Sequence, residues 1–366
     1  MTTPINLHDF EAGARARLDD RAWAYLAGGA ADELTLVDNS QAWQRLRLAP
    51  RVLRPLGGGH TRCTLLGRTL AHPILLAPVA FQRLFHPDGE RASALAAAMQ
   101  GAAYVLSAQA STRLEDVAAL VLPEPSRGPL WFQLYLQPDR GFTLDLVQRA
   151  EAAGFEALVL TVDAPVHGAR DRERRAGFVL PPGVSAVNLR SAPPATSAAL
   201  PPGASALFDG LLRHAATWDD VAWLQAHTRL PLLLKGVLHP ADATQAAALG
   251  VAGLVVSNHG GRTLDTAPAT ADALPRIAQA LAGGPGPVPA LLVDGGIRRG
   301  TDVLKALALG AQAVLIGRPA VMALAAGGAQ GVALALRLLR DELEIAMALT
   351  GCATLADISP AVLWRD

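Results

Sequence analysis

The chain has 366 residues, 51% of them hydrophobic and 17% charged, with 32 basic and 32 acidic side chains. That composition supplies one large core and excludes a disordered or fibrous chain. A formal net charge of zero offers nothing to nucleic acid or to an acidic membrane surface.

The opening MTTPINLHDFEAG has no basic region followed by an apolar run, so it does not read as a signal peptide. No uninterrupted apolar stretch reaches the roughly 20 residues that span a bilayer; the longest, near 312–336, is broken by Arg318 and Pro319. Cys63 and Cys352 are too few for a disulfide framework and read as small core residues. These features predict a cytoplasmic globular α/β protein without a membrane anchor.

Residues 1–70 are expected to be helical, with WAYLAGGAADE as a helix ending at Gly28–Gly29. Eight short aliphatic or β-branched runs follow: 74–80, 103–107, 130–136, 156–163, 232–236, 252–258, 290–294 and 312–317. Near-continuous apolar runs fit strands buried on both faces, as in a parallel sheet. Each is followed by an Ala/Leu-rich stretch of helical period, and eight such units predict a (β/α)8 TIM barrel in a single domain. An open doubly wound sheet is the alternative. About seventy residues separate the fourth run from the fifth. That insert, roughly 168–217, holds RDRERR and the Pro/Ala/Ser-rich SAPPATSAALPPGAS, and is expected to be a mobile lid over the barrel mouth. Residues 318–366 read as C-terminal helices.

In this fold the active site sits at the C-terminal ends of the strands, and here those ends are rich in useful side chains. In chain order they offer Pro78, Val79 and Ala80; Ser107 and Gln109; Gln133 and Tyr135; Thr161 and Asp163; then Lys235. The last three offer Ser257 with His259 and Arg262, Asp294-Gly295-Gly296 with Arg298, and Gly317-Arg318. Barrels often bind phosphate after strands seven and eight, where glycines admit backbone N–H groups and arginines add charge-assisted contacts. There is no G-x-G-x-x-G after a strand and no P-loop, and the nine histidines show no metal-ligand spacing, so no metal is expected.

With SNHGGRTLD (257–265), LTVDAP (160–165), FQLY (132–135), LKGV (234–237), DGGIRRGTDVLKALALGA (294–311) and IGRP (316–319), nearly the whole chain resembles the FMN-dependent 2-hydroxy acid oxidase and dehydrogenase family. That family includes glycolate, lactate and mandelate oxidases. The resemblance implies FMN as cofactor, a small L-2-hydroxy acid as substrate, O2 as electron acceptor, and a homo-oligomer, tetramer or octamer. A dehydrogenase using a quinone or protein acceptor is the alternative. Ala80 favours the oxidase, because the membrane-linked mandelate dehydrogenase type carries Gly there.

By the same resemblance His259 is the catalytic base, Asp163 its carboxylate partner, and Tyr135 the tyrosine near the substrate oxygen. Arg262 and Tyr25 clamp the substrate carboxylate, with Arg170 a second arginine near it. Lys235 lies beside the flavin pyrimidine ring. Pro78, Val79, Ala80, Ser107, Gln133, Thr161 and Ser257 fall at flavin-contacting positions. Asp294, Gly295, Gly296, Arg298, Gly317 and Arg318 fall at the ribityl and phosphate site. One departure is Gln109, where glycolate oxidase-like members carry an aromatic residue, usually Trp; it changes one wall of the substrate site. Chemically, a planar arginine fork suits a carboxylate and a histidine is the natural proton acceptor near neutral pH.

Overall fold

The structure, a computed structural model, describes residues 3–190, 203–284 and 286–364. A two-stranded hairpin comes first: β1 (Cys63–Leu65) pairs antiparallel with β2 (Arg68–Leu70). Eight strands then follow: β3 (Ile74–Leu76), β4 (Tyr104–Ser107), β5 (Leu130–Leu134), β6 (Ala157–Thr161), β7 (Leu232–Val237), β8 (Gly253–Val256), β9 (Ala290–Val293) and β10 (Ala313–Ile316). They pair in parallel, each with its neighbour, and β10 closes onto β3. The closed barrel expected from the eight apolar runs is therefore present, and the open doubly wound sheet is not. Several strands end earlier than their apolar runs: β3 stops at Leu76 and β6 at Thr161, and the residues beyond leave the sheet to form the mouth.

Side chains alternate across a strand with period two, and that alternation builds the interior in layers. Val105, Trp131, Val159, Leu233, Val255, Leu292 and Leu315 form one buried inner cluster, while Leu106, Phe132, Leu158, Leu160, Leu234 and Leu254 face the surrounding helices in another. Two residues beyond each inner apolar side chain stand Ser107, Gln133, Thr161, Lys235, Ser257, Asp294 and Gly317. The same inward face thus changes from apolar to polar over one strand repeat, near the C-terminal ends where an active site of this fold lies.

The N-terminal segment departs from the helical expectation. It has helices Asp9–Arg15, Asp20–Ala27 and Leu34–Arg45, but its last part is the β1–β2 hairpin. Leu65 and Leu70 pack with Ala103, Ala157, Ala290 and Ala313, which stand at or next to strand starts, so the hairpin plugs the barrel's N-terminal end. Two three-residue strands around Leu66-Gly67, both at positive φ, carry too few residues for a visible period-two pattern.

Of the insert, residues 191–202, which hold most of the Pro/Ala/Ser-rich stretch, lie outside the described residues. Its first part is docked at the mouth. The Asn188 side chain accepts from Leu114 N at 2.9 Å and donates to Thr112 O at 3.2 Å, tying it to the loop after β4. At the other end, Arg318–Leu349 is, by length and composition, a helix apolar enough to cross a membrane, a feature the sequence reading did not find. It is interrupted by non-helical backbone at Gly327 and Gly328, and 67% of its most apolar window is buried within the molecule.

Candidate active site

The polar layer is knitted strand to strand. Register sets Ser107 opposite Gln133 and Thr161 opposite Lys235. The Ser107 hydroxyl donates to Gln133 Oε1, and Gln133 Nε2 donates to Thr161 Oγ1, each at 3.0 Å. Beside them Lys235 Nζ, 4% exposed, lies 3.2 Å from Asp294 Oδ2 and donates to Ser257 Oγ at 3.0 Å. Burial opposes its charge, but Asp294, Asp163 and Tyr135 outweigh it and hold its pKa above the ordinary lysine value. Lys235 is therefore a fixed cation. Burial pushes the Tyr135 phenol up to about 12, so it stays a neutral hydrogen-bond donor.

Backbone conformation aims the histidine. His259, Gly260 and Gly261 have φ of 58°, 64° and 74°, a left-handed turn that a non-glycine residue enters at a cost. A Cβ at Gly261 would lie 2.7 Å from Leu36 backbone atoms, so only glycine lets this loop pack on helix Leu34–Arg45. His259 Nδ1 sits 2.9 Å from Asp163 Oδ1. The carboxylate orients the ring, assigns the proton to Nδ1 and leaves Nε2 with its lone pair. Burial and then Lys235 push His259 below its ordinary pKa, against the pull of Asp163, so the ring is neutral near pH 7. Burial opposes ionisation of Asp163, but His259 and Lys235 together hold its carboxyl low; Lys235 keeps its charge when His259 is neutral. Asp163 fits there because residue 236 is glycine: at φ 111° its Cβ would fall 2.4 Å from Asp163 Cβ. The β7–β8 pairing shifts register at this point.

Two arginines dock on the C-terminal carbonyls of helix Asp20–Ala27, an arrangement that suits cations. Arg262 Nη1 donates to Tyr25 O at 2.7 Å and Gly28 O at 2.9 Å, and its guanidinium lies 4.9 Å from the Tyr25 ring centroid. Arg318 donates to Leu26 O at 2.8 Å, Gly28 O at 3.0 Å and Gly260 O at 3.3 Å. Arg170 reaches the same area because residue 168 is glycine, whose Cβ would meet Thr263 O at 2.1 Å. Glu173, on the short helix Asp171–Arg175, pairs with Arg262 Nη2 at 2.9 Å and Arg170 Nη1 at 3.6 Å.

A cavity of about 690 Å³ opens over this layer, within the range of small-molecule and cofactor sites. Its far end is built for an anion. Gly295 and Gly296 have φ of 89° and 80°, and a Cβ at Gly296 would fall 2.1 Å from Asn39 O. The Arg298 and Arg318 guanidiniums donate only to backbone carbonyls among the described residues. Burial, then Arg262 and Arg298, pushes Arg318 down to about 9, as for a buried cation lacking an anion. Asp294 Oδ1 is buried without a partner. A phosphate at the arginines and a hydroxyl donor at Asp294 satisfy both ends, so the residues present fit FMN.

The cavity wall brings together Tyr25, Pro78, Val79, Ala80, Ser107, Gln109, Gln133, Tyr135, Thr161, Arg170, Lys235, His259 and Arg262 with Asp294, Gly295, Gly296, Arg298, Gly317 and Arg318. Two expected residues stand behind it. Asp163 backs His259. Ser257, expected to contact the flavin, is fully buried and holds both Lys235 Nζ and the His259 amide. Sequence reasoning missed Glu173 and Phe178, whose ring stacks on Tyr25 with centroids 4.6 Å apart. It also missed Glu90, a fully buried carboxylate that accepts from Gln82 N at 2.9 Å, Ser111 N at 2.8 Å and the Thr112 hydroxyl at 2.8 Å. Glu90 ties the loop after β3 to the loop after β4, and so sets the Val79–Phe81 and Gln109 walls. Glu173 lies inside RDRERR, a charge run whose sequence does not separate an inward side chain from a solvated one, and Glu90 reads as one charge on an alanine-rich helix.

The chain is similar to known proteins along nearly its whole length. Residues 14–365 match the model of the FMN-dependent dehydrogenase family. The chain is 51% identical over 360 residues to an L-lactate oxidase of Roseobacter sp. (strain GAI101), covering 98% of this chain and 95% of that one. It is 45% identical to glycolate oxidase 1 of Zea mays, over 97% of this chain and 94% of that one. A crystal structure of mandelate oxidase with benzoyl-formic acid superposes with a TM-score of 0.87 at 44% identity, over 100% of this chain and 99% of that one. The chain belongs to the FMN-dependent dehydrogenase family and uses FMN.

Proposed function

We propose that this protein oxidises a small L-2-hydroxy acid to the 2-keto acid and passes the electrons to O2, giving hydrogen peroxide. The observation that carries the reading is the pairing of a neutral, carboxylate-oriented histidine with an arginine from one loop: His259 on Asp163 at 2.9 Å and Arg262 three residues on. The oxidase names of the relatives support O2 as acceptor.

FMN, when bound, supplies the two-electron acceptor. Arg298, Arg318 and the Gly295–Gly296 turn would hold its phosphate, and Ser107, Gln133, Thr161 and Lys235 its ring. Arg262 and Arg170 orient the substrate carboxylate, since a planar fork matches its two oxygens. Tyr135 donates toward the substrate hydroxyl oxygen. His259 Nε2 accepts the proton that leaves the substrate, and Asp163 stabilises the imidazolium. Lys235 offsets the negative charge that arrives with the electrons. A homo-oligomer in the cytoplasm belongs to the same proposal.

Anaerobic mixing of the holoenzyme with L-lactate, glycolate or (S)-mandelate should bleach the visible flavin band. Readmitting O2 should restore it with one peroxide per keto acid. Bleaching that only a quinone or dye reverses would make the protein a dehydrogenase, and no bleaching by any 2-hydroxy acid would overturn the reading.

A further inference from the structure

We infer that Glu173 sets the charge the substrate site accepts: it leaves Arg170 and Arg262 with a single net positive charge, which selects a 2-hydroxy monocarboxylate and rejects a dicarboxylate. The inference rests on the reading of Arg170 and Arg262 as the substrate-carboxylate clamp.

Both guanidiniums share one oxygen, Glu173 Oε1, at 2.9 Å from Arg262 and 3.6 Å from Arg170. All three side chains are largely withdrawn from water, at 15%, 17% and 13% exposure for Arg262, Arg170 and Glu173. Neither arginine is saturated. Arg262 spends three of a guanidinium's five donors on Tyr25 O, Gly28 O and Glu173, and Arg170 Nε is buried without a partner. Both side chains line the cavity, and the donors that Arg262 has left can meet one further carboxylate there.

Of the other charges nearby, Arg318, which shares the Gly28 carbonyl with Arg262, would be offset by the FMN phosphate. Asp163, ionised beside a neutral His259, adds an anion that opposes a second carboxylate. Lys235 is balanced by Asp294 and Arg172 is paired with Glu33. Arg174 also lines the cavity, but its side chain is 73% exposed and faces Asp171 at 3.9 Å, so solvent screens it. His167 is held below its ordinary pKa by burial and by Arg170 and is neutral near pH 7. A monocarboxylate thus brings two cations and one anion to neutrality. A dicarboxylate leaves a net negative charge in a site with little water to solvate it, and Glu173 repels it directly.

The test compares the holoenzyme with Glu173→Gln and Glu173→Asp. Binding of pyruvate and of 2-ketoglutarate, read from the perturbed flavin spectrum, measures charge selection without turnover; kcat/KM for L-lactate and L-malate measures it in the reaction. In Glu173→Gln the dicarboxylate-to-monocarboxylate ratio should rise by about tenfold or more in both readouts, and Glu173→Asp should restore the parent ratio. A Glu173→Gln variant that weakens both classes equally would leave Glu173 a merely structural partner and overturn the inference. So would a parent that binds the dicarboxylate as tightly as the monocarboxylate. A parent that oxidises no 2-hydroxy acid would refute the proposed function, and the binding ratio would still decide the role of Glu173.

Discussion

Asp163→Asn isolates what the carboxylate does for the histidine. Opposite charges 2.9 Å apart attract by about 6 kcal/mol at an effective dielectric of 20. His259 is 23% exposed toward the cavity, which screens part of that, so about 3 kcal/mol of stabilisation of the developing imidazolium is expected to be lost. At 1.36 kcal/mol per tenfold, the plateau of kcat/KM should fall about a hundredfold or more. The pH profile should move as well. Only the neutral ring accepts a proton, so in the parent the rate falls as pH drops through the His259 pKa, which lies below the ordinary histidine value. Asp163 is one of the groups that raise that pKa; without its charge the acid limb should shift to still lower pH while the plateau drops. Anaerobic stopped-flow flavin reduction across pH reads both quantities, with flavin content as the control for folding. A plateau within a few-fold of the parent, or an acid limb that moves to higher pH, would refute the assignment of Asp163 as the partner of a histidine base.

Three further outcomes follow from other parts of the site. Arg318→Ala should weaken FMN binding by about tenfold to a hundredfold, since a charge-assisted contact is worth about 1.5–3 kcal/mol; flavin fluorescence released on dilution measures it. Gly236→Ala should destabilise the fold by on the order of 1–3 kcal/mol and lower flavin reduction, because the φ of 111° and the 2.4 Å approach to Asp163 Cβ displace both Asp163 and the β7 bulge; denaturant titration and stopped-flow read the two effects. Glu90→Gln keeps the shape but places an amide NH2 among N–H and O–H donors, and should cost roughly 1–3 kcal/mol in denaturant unfolding while loosening flavin binding.

Much of this molecule is legible in its sequence. The eight barrel strands announced themselves because parallel strands covered on both faces are apolar at every position, as in LWFQL of β5, where all five residues are buried. His259, Arg262, Asp294, Arg298 and Lys235 were legible because they lie at or just past those strand ends, where loop position and polar chemistry coincide. Ser257 read as a flavin contact for the same reason, yet Lys235 lies over it. Register and side-chain length decide which member of a polar layer reaches the cavity, and neither is written in a local motif. The β1–β2 hairpin was hidden because it is short and because its two inward residues, Leu65 and Leu70, gain their meaning only from the barrel floor they plug. Glu173 and Glu90 were hidden for a further reason. Each is an ordinary surface-type residue in its own segment, and each becomes structural or functional through partners far away in sequence: Arg262 for one, Ser111 and Thr112 for the other. Local sequence determined the strands and the polar residues at their C-terminal ends; tertiary packing decided which charges are buried together, because the energy of a buried charge depends on the groups that surround it in space.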